Sequence, residues 1–238
     1  REEDHPAGRG HVPQQADHVQ PLVRVHAIER LVEQQDVRVV DQGGGRVLGG
    51  DAAEGGQGAR QAVAVRPGAL EALARAGVRI DRTSDLLPDQ AQQYRHYLKM
   101  MNITMARGAP APDGKRATAT DWFDLLDAQA ANAAQWAALF EIYDFVLAPP
   151  APVLAIPHRE EAVFRGTLTI NGAEEPGGNA LAWAGMATFP GLPATVLPIG
   201  SGTYLGAELP CGMQVIGPRW SDFGCIAAAK AMGEVLHG

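Results

Sequence analysis

WAGMATFPGLPATVLPIGSGTYLGAELPCGMQVIGPRWSD, residues 183–222, is the stretch that decides the fold. Two strand-like runs, Ala194–Pro198 and Gly212–Ile216, are set among Gly-Leu-Pro-type turns, and Ser221 with Asp222 then opens a helix. Strands that feed directly into an amphipathic helix predict an α/β architecture. The loop GSGTYLGAELP between the runs reads as a Gly-rich connection. In the last helix Ile226, Ala229, Met232 and Leu236 recur at helical spacing and predict its buried face.

Working back toward the N-terminus, Gly178–Ala187 reads as a helix containing Trp183. Thr167–Ile170 followed by Asn171-Gly172 reads as a hairpin with a type I′ turn. YDFVLAPPAPVLAIP, residues 143–157, predicts a buried strand Phe145–Ala148 running into a loop whose prolines forbid further ladder pairing. Thr120 is the expected cap of a long helix with Trp122, Leu125, Leu126, Ala133, Trp136 and Phe140 at helical spacing. Residues 85–108 predict another helix, with Leu98, Met101, Ile103 and Met105 supplying its contacts, stopped by Gly108, Pro110 and Pro112. ALEALARAGVRID, residues 69–81, predicts a short helix ended by Gly77 and a strand Val78–Ile80.

A seam lies before this region. Every Phe, Trp, Tyr, Met, Cys, Lys, Ser, Thr and Asn of the 238 residues falls after Arg66. Residues 1–66 use ten residue types plus Ile28, and all ten have codons beginning with G or C. Two readings stand. A GC-rich DNA strand is translated there in a frame not selected to encode protein, or the segment is a natural extension of biased, disordered composition. Within it, HAIERLVEQQ (26–35) has the pattern of a helical turn or two. The glycines at 43–58 lack the Gly-Lys-Ser/Thr ending of a phosphate loop. The expected organisation is therefore a low-complexity segment, 1–66, and a folded part, 67–238.

A net charge of −7 argues against nucleic acid or an anionic membrane as partner. No apolar run reaches the ~20 residues of a membrane span, and REEDHPAGRG lacks the apolar core of a signal peptide. Cys211 and Cys225 are too few for a disulfide framework or a zinc site and read as free thiols in a reducing compartment. A soluble cytoplasmic protein is the expectation. The seven histidines have no metal-site spacing, and His158 after the proline loop has no carboxylate partner placed by a motif, so no metal is assigned.

GLPATVLPIG (191–200) followed by LPCGMQVIGPRWSD (209–222) resembles the C-terminal signature of the amidase signature family, which includes bacterial amidases and the glutamyl-tRNA amidotransferase A subunit. Residues 143–157 resemble its strand and proline loop, 167–185 the lead-in to its substrate pocket, and 69–81 the linker helix after its catalytic half. Two positions depart from the family pattern: Pro150 stands where Thr is usual, and Thr188 where Asn is frequent. The resemblance implies the C-terminal part of a mixed sheet flanked by helices. It implies hydrolysis of a small-molecule carboxamide without metal or organic cofactor, by a Ser–cis-Ser–Lys triad in which a neutral Lys draws a proton through a bridging Ser. It also implies that Trp183, Phe189, Gly191, Leu192 and Pro193 line or support one wall of the substrate pocket.

The chain holds three serines, Ser84, Ser201 and Ser221, and three lysines, Lys99, Lys115 and Lys230. None stands in a Gly-Gly-Ser-Ser-Gly setting, so no catalytic residue is assigned. Gly200-Ser201-Gly202 reads as a turn and Ser221 as a helix cap. The expected product is an amidase fragment inactive alone. The alternatives are a non-catalytic binding module and the product of a mis-called frame, with self-association through an uncovered sheet edge.

Overall fold

The computed structural model describes residues 38–41 and 68–238, apart from positions 83, 112, 159, 161, 171, 172 and 205. The expected helical turn at 26–35, the glycine runs at 43–58 and the Asn171-Gly172 turn lie outside the described residues. Of the segment before Pro67, the described part is one strand, β1 (Arg38–Asp41).

Helix α1 (Ala69–Arg75) and strand β2 (Arg79–Asp81) follow, joined through Gly77. Helix α2 (Gln90–Ala106) begins where Asp89 accepts a hydrogen bond from the Gln92 N–H at 3.0 Å, just past Pro88. Its buried residues are Gln93, Tyr94 and Tyr97, and Met105 is 78% exposed. The apolar contacts expected from Met105 are thus not made, because the packing stripe sits nearer the N-terminus, where α2 meets its neighbours.

Helix α3 (Ala119–Phe140) is capped by Thr118 rather than Thr120. Asp121 stands three residues after Thr118, so each side chain accepts from the other's backbone N–H, at 3.0 and 3.1 Å. The Thr118 backbone and hydroxyl, with Lys99 at 3.1 Å, hold the Asp121 carboxyl well below the usual carboxylate range. That salt bridge also ties α3 to α2.

Strand β3 (Phe145–Ala148) lies as expected and is buried at all four residues. The hairpin β4 (Thr167–Ile170) and β5 (Ala173–Pro176) forms a separate two-stranded sheet. A 3-10 turn, Gly177–Leu181, then leads into helix α4 (Ala182–Thr188).

The expected Gly-rich loop is instead part of a long ribbon. Strand β6 (Ala194–Tyr204) pairs antiparallel with β7 (Ala207–Ile216), with an irregularity between Pro198 and Gly200. Glycine permits the extended ladder as readily as a loop, and the bulge absorbs Pro198. Helix α5 (Asp222–His237) closes the fold. Its buried residues are Cys225, Ala228, Ala229 and Met232, with Leu236 packed against the same core, so three of the four expected residues face inward and Ile226, 54% exposed, faces outward.

The main sheet has the order β2-β1-β3-β7-β6. β2, β1 and β3 run parallel, and β7 is antiparallel to both β3 and β6. Helices cover both faces, which is why β3 reads as a continuous apolar run rather than an alternating one. On one face α1 and α5 pack Leu70, Leu73 and Met232 against Phe145, Leu147, Leu197, Met213 and Val215. On the other, Trp136 and Leu139 of α3 and Met186 of α4 pack against Val146, Ala148 and Ile216. Among the described residues no helix is long and apolar enough to cross a membrane.

Candidate functional site

In open α/β sheets the carboxyl ends of the strands are where binding residues collect. At that end of β3 the chain enters Pro149 and Pro150, which cannot continue the ladder. Buried Gln214, from the neighbouring strand β7, reaches across this end. Its amide donates to the Pro149 carbonyl at 2.8 Å and to the Trp183 carbonyl at 3.1 Å. One side chain thereby joins the proline loop to the start of α4. Pro150 packs over β7, with its Cγ 3.4 Å from where a Cβ on Gly212 would stand.

The other end of α4 is held by two further amides. Helix C-termini leave carbonyls without intrahelical partners. Gln93 donates to the Gly185 and Met186 carbonyls at 3.1 and 2.9 Å, and Gln129 donates to the Phe189 carbonyl at 2.6 Å. The Gln93 oxygen in turn accepts from the Trp136 indole at 2.9 Å. Gly185 is where α4 meets the Tyr97 ring, since an added Cβ would lie 2.6 Å from it. Tyr94 donates to the Gly178 carbonyl at 2.9 Å. Burial, with the neighbouring Tyr97, pushes its hydroxyl up to about 12. The Asn132 carbonyl oxygen is the one buried side-chain polar atom without a hydrogen-bond partner among the described residues.

The five residues of the expected pocket wall occupy four settings. Trp183 and Leu192 are half-buried and pack against the α3–α4 face of the sheet. Phe189 is 1% exposed, enclosed with Tyr94 and Tyr97 and 5.9 Å from the His96 ring. Gly191 is exposed and takes φ 71, a left-handed turn position that suits glycine. Pro193 is half-buried, and its carbonyl accepts from the Gly217 N–H at 3.1 Å. Trp183, Leu192 and Phe189 thus surround the two ends of α4, while Gly191 and Pro193 lead into β6. The buried amides of Gln93 and Gln214 and the half-buried amide of Gln129 have no motif around them, and sequence reading misses them. Their one sequence signal is a polar residue on an otherwise apolar face.

Each serine and lysine has a partner outside any Ser–Ser–Lys arrangement. Ser84 Oγ accepts from the Leu86 N–H at 3.2 Å, and Ser201 Oγ donates to Glu208. Ser221 stands at the first position before α5, yet its hydroxyl donates to the Pro218 carbonyl at 2.6 Å instead of accepting as a cap. Lys99 pairs with Asp121 at 3.1 Å, Lys115 with Asp113 at 3.9 Å and Lys230 with Glu234 at 4.0 Å. His158 is exposed. Cys225 is buried and Cys211 half-buried, both free, and burial pushes both thiols up. Among the described residues no group of three or more His, Cys, Asp or Glu is placed to hold a metal.

A mixed sheet covered by helices on both faces, with a proline loop bolted to a short helix at the strand ends, defines an α/β fold. The family model for amidases matches residues 67–226, and the chain belongs to that family. No curated protein sequence matches it. Among solved structures it resembles a fatty acid amide hydrolase, with TM-score 0.61 and 15% identity over 86% of this chain and 40% of that one. It also resembles the Kluyveromyces lactis allophanate hydrolase, with TM-score 0.57 and 17% identity over 85% of this chain and 32% of that one. The glutamyl-tRNA(Gln) amidotransferase A subunit of Thermotoga maritima gives TM-score 0.52 and 17% identity, covering 82% of this chain and 41% of that one. The chain therefore spans about a third to two fifths of the length of these structural relatives.

Proposed function

We propose that this chain carries the pocket-wall portion of an amidase, a hydrolase of carbon–nitrogen amide bonds, and that it does not hydrolyse amides by itself. The complete enzyme would act on a small-molecule carboxamide. Trp183, Gly191, Leu192 and Pro193 form the wall in this reading, with Phe189 supporting it from behind. The observation that carries it is the Gln214 bridge, which holds Trp183 against the proline loop at the end of β3. Inactivity is supported by the partners of the serines: the family's chemistry needs a lysine acting through a second serine, and Ser84, Ser201 and Ser221 are engaged instead with a backbone amide, a carboxylate and a carbonyl. The acidic charge and the two free cysteines support a cytoplasmic location.

The test is an assay of the purified full chain on simple aliphatic and aryl amides, alongside a serine-directed fluorophosphonate. No turnover and no stoichiometric labelling are expected. Turnover that disappears in step with labelling of one serine would overturn the proposal. A second reading, a non-catalytic binding module, is favoured by the same bridge, because it holds the wall in place without any catalytic residue. Saturable binding of a carboxamide with a rise in Tm, in the absence of turnover, would select it.

A further inference from the structure

Trp220 is placed against the local preferences of the chain. The Ser221 N–H donates to the Pro218 carbonyl at 3.1 Å, closing a turn with Arg219 and Trp220 at its centre. Trp220 has φ 69 while Arg219 does not share the positive φ. That combination marks a type II turn, whose third position favours Gly or Asn and disfavours a bulky aromatic. Burial does not compensate, since Trp220 is 77% exposed. Its neighbours on the outer side of α5 are also open, Phe223 at 85% and Ile226 at 54%. Backbone strain concentrated on an exposed aromatic points to a contact made outside the chain.

We propose that Trp220, Phe223 and Ile226 are the centre of a weak two-fold interface with a second copy of this chain. Charge selects this occupant. Two molecules of net charge −7 repel over most of their surfaces. Here exposed Arg219 and Asp222 flank Trp220, and the Arg219 guanidinium lies 5.0 Å from the Trp220 ring centroid. In an isologous contact residue i meets residue j and j meets i, and a patch that carries both charges is self-complementary: Arg219 of each copy can pair with Asp222 of the other. Trp with Arg at the centre of an apolar patch is also the composition of interface hot spots.

The area sets the strength. Aromatic side chains bury roughly 150–250 Å² each, so the patch offers roughly 400–500 Å² per copy, against about 800 Å² in a standard stable interface. The expected dimer therefore dissociates on dilution, with a Kd on the order of 10 μM or weaker. The sheet edges are poorer docking strips. β2 has three residues, two of them Arg79 and Asp81. β6 is interrupted by Pro198, whose carbonyl is engaged by the His237 ring at 2.9 Å.

Sedimentation velocity of the full chain over a dilution series tests the proposal. A monomer–dimer equilibrium is expected, weakened at least about tenfold by Trp220→Gly, a change that keeps the turn and relieves its strain. Arg219→Asp and Asp222→Arg should each weaken it too, and the double exchange Arg219→Asp/Asp222→Arg should restore it. Restoration by the exchange is specific to a second copy and would support the interface. A chain that stays monomeric throughout, a Trp220→Gly variant that dimerises like the parent, or a folded double exchange that fails to recover would each overturn it. Circular dichroism melts establish that every variant is folded before it is scored.

Discussion

The two faces of the main sheet are held by different physics. On the α1–α5 face the buried residues are apolar, Leu73, Leu147, Met213 and Val215 among them. On the α3–α4 face the aliphatic packing of Val146, Ala148 and Ile216 is joined by the buried amides of Gln93 and Gln214 and the half-buried amide of Gln129. Hydrophobic burial is non-directional, so it sets which layers meet without fixing a helix to a particular carbonyl. A buried amide does the latter, because leaving it unpaired is costly. The first face makes the fold stable. The second places α4, and with it the turn through Gly191 that follows.

Truncations read the difference most strongly. Trp136→Ala should destabilise by about 3–5 kcal/mol through lost packing, at the upper end because it also strands the Gln93 oxygen. Met213→Ala on the apolar face should fall in the general range of about 2–5 kcal/mol for a buried truncation. A double-mutant cycle with Gln93→Leu separates the two cases, showing strong coupling to Trp136 and none to Met213. Equal coupling at both sites would break the comparison.

Gln214→Leu should cost less, about 1–3 kcal/mol for carbonyls left without a donor, and should speed hydrogen exchange around Trp183 while sparing α1. Chemical denaturation and exchange on the same variant check both parts. Asn132→Leu should go the other way, neutral or stabilising by about 1 kcal/mol, since it removes a buried oxygen without a partner. A clear loss of stability there would mean that the oxygen is satisfied in solution.

The smallest effect is one of pH. Tyr94 is raised to about 12 by burial, so the unfolded chain ionises first. Its contribution is fully present below the ordinary tyrosine value of about 10 and is lost as pH rises from there toward 12. Tyr94→Phe should flatten the alkaline limb of a Tm–pH profile. An unchanged limb would assign it to other groups, such as the Cys225 thiol, also raised by burial.

Elements with strong periodicity or punctuation are legible in the sequence. β3 is legible to the residue because an apolar run stops at two prolines, and the β4–β5 hairpin is placed by its alternating strand. Faces are harder. α5 buries Cys225 and Ala228 where Ile226 is expected inside, because an Ala-rich helix with apolar residues all round gives periodicity little to select. The cap of α3 falls at Thr118 instead of Thr120 because the reciprocal partner, Asp121, is three residues from the former. The ribbon at 200–210 reads as a loop because glycines and prolines suit loops and bulged hairpins equally.

By itself the sequence determined the class of fold, the family and the order of strands and helices along 67–238. These follow from local pattern, from proline and glycine positions, and from motifs that keep their spacing. Only the tertiary structure decided that α4 is held by amides from α2, α3 and β7, and that Phe189 is enclosed while Trp183 is half-open. Those contacts join residues 31 to 93 positions apart, and their energy depends on geometry that no local pattern encodes.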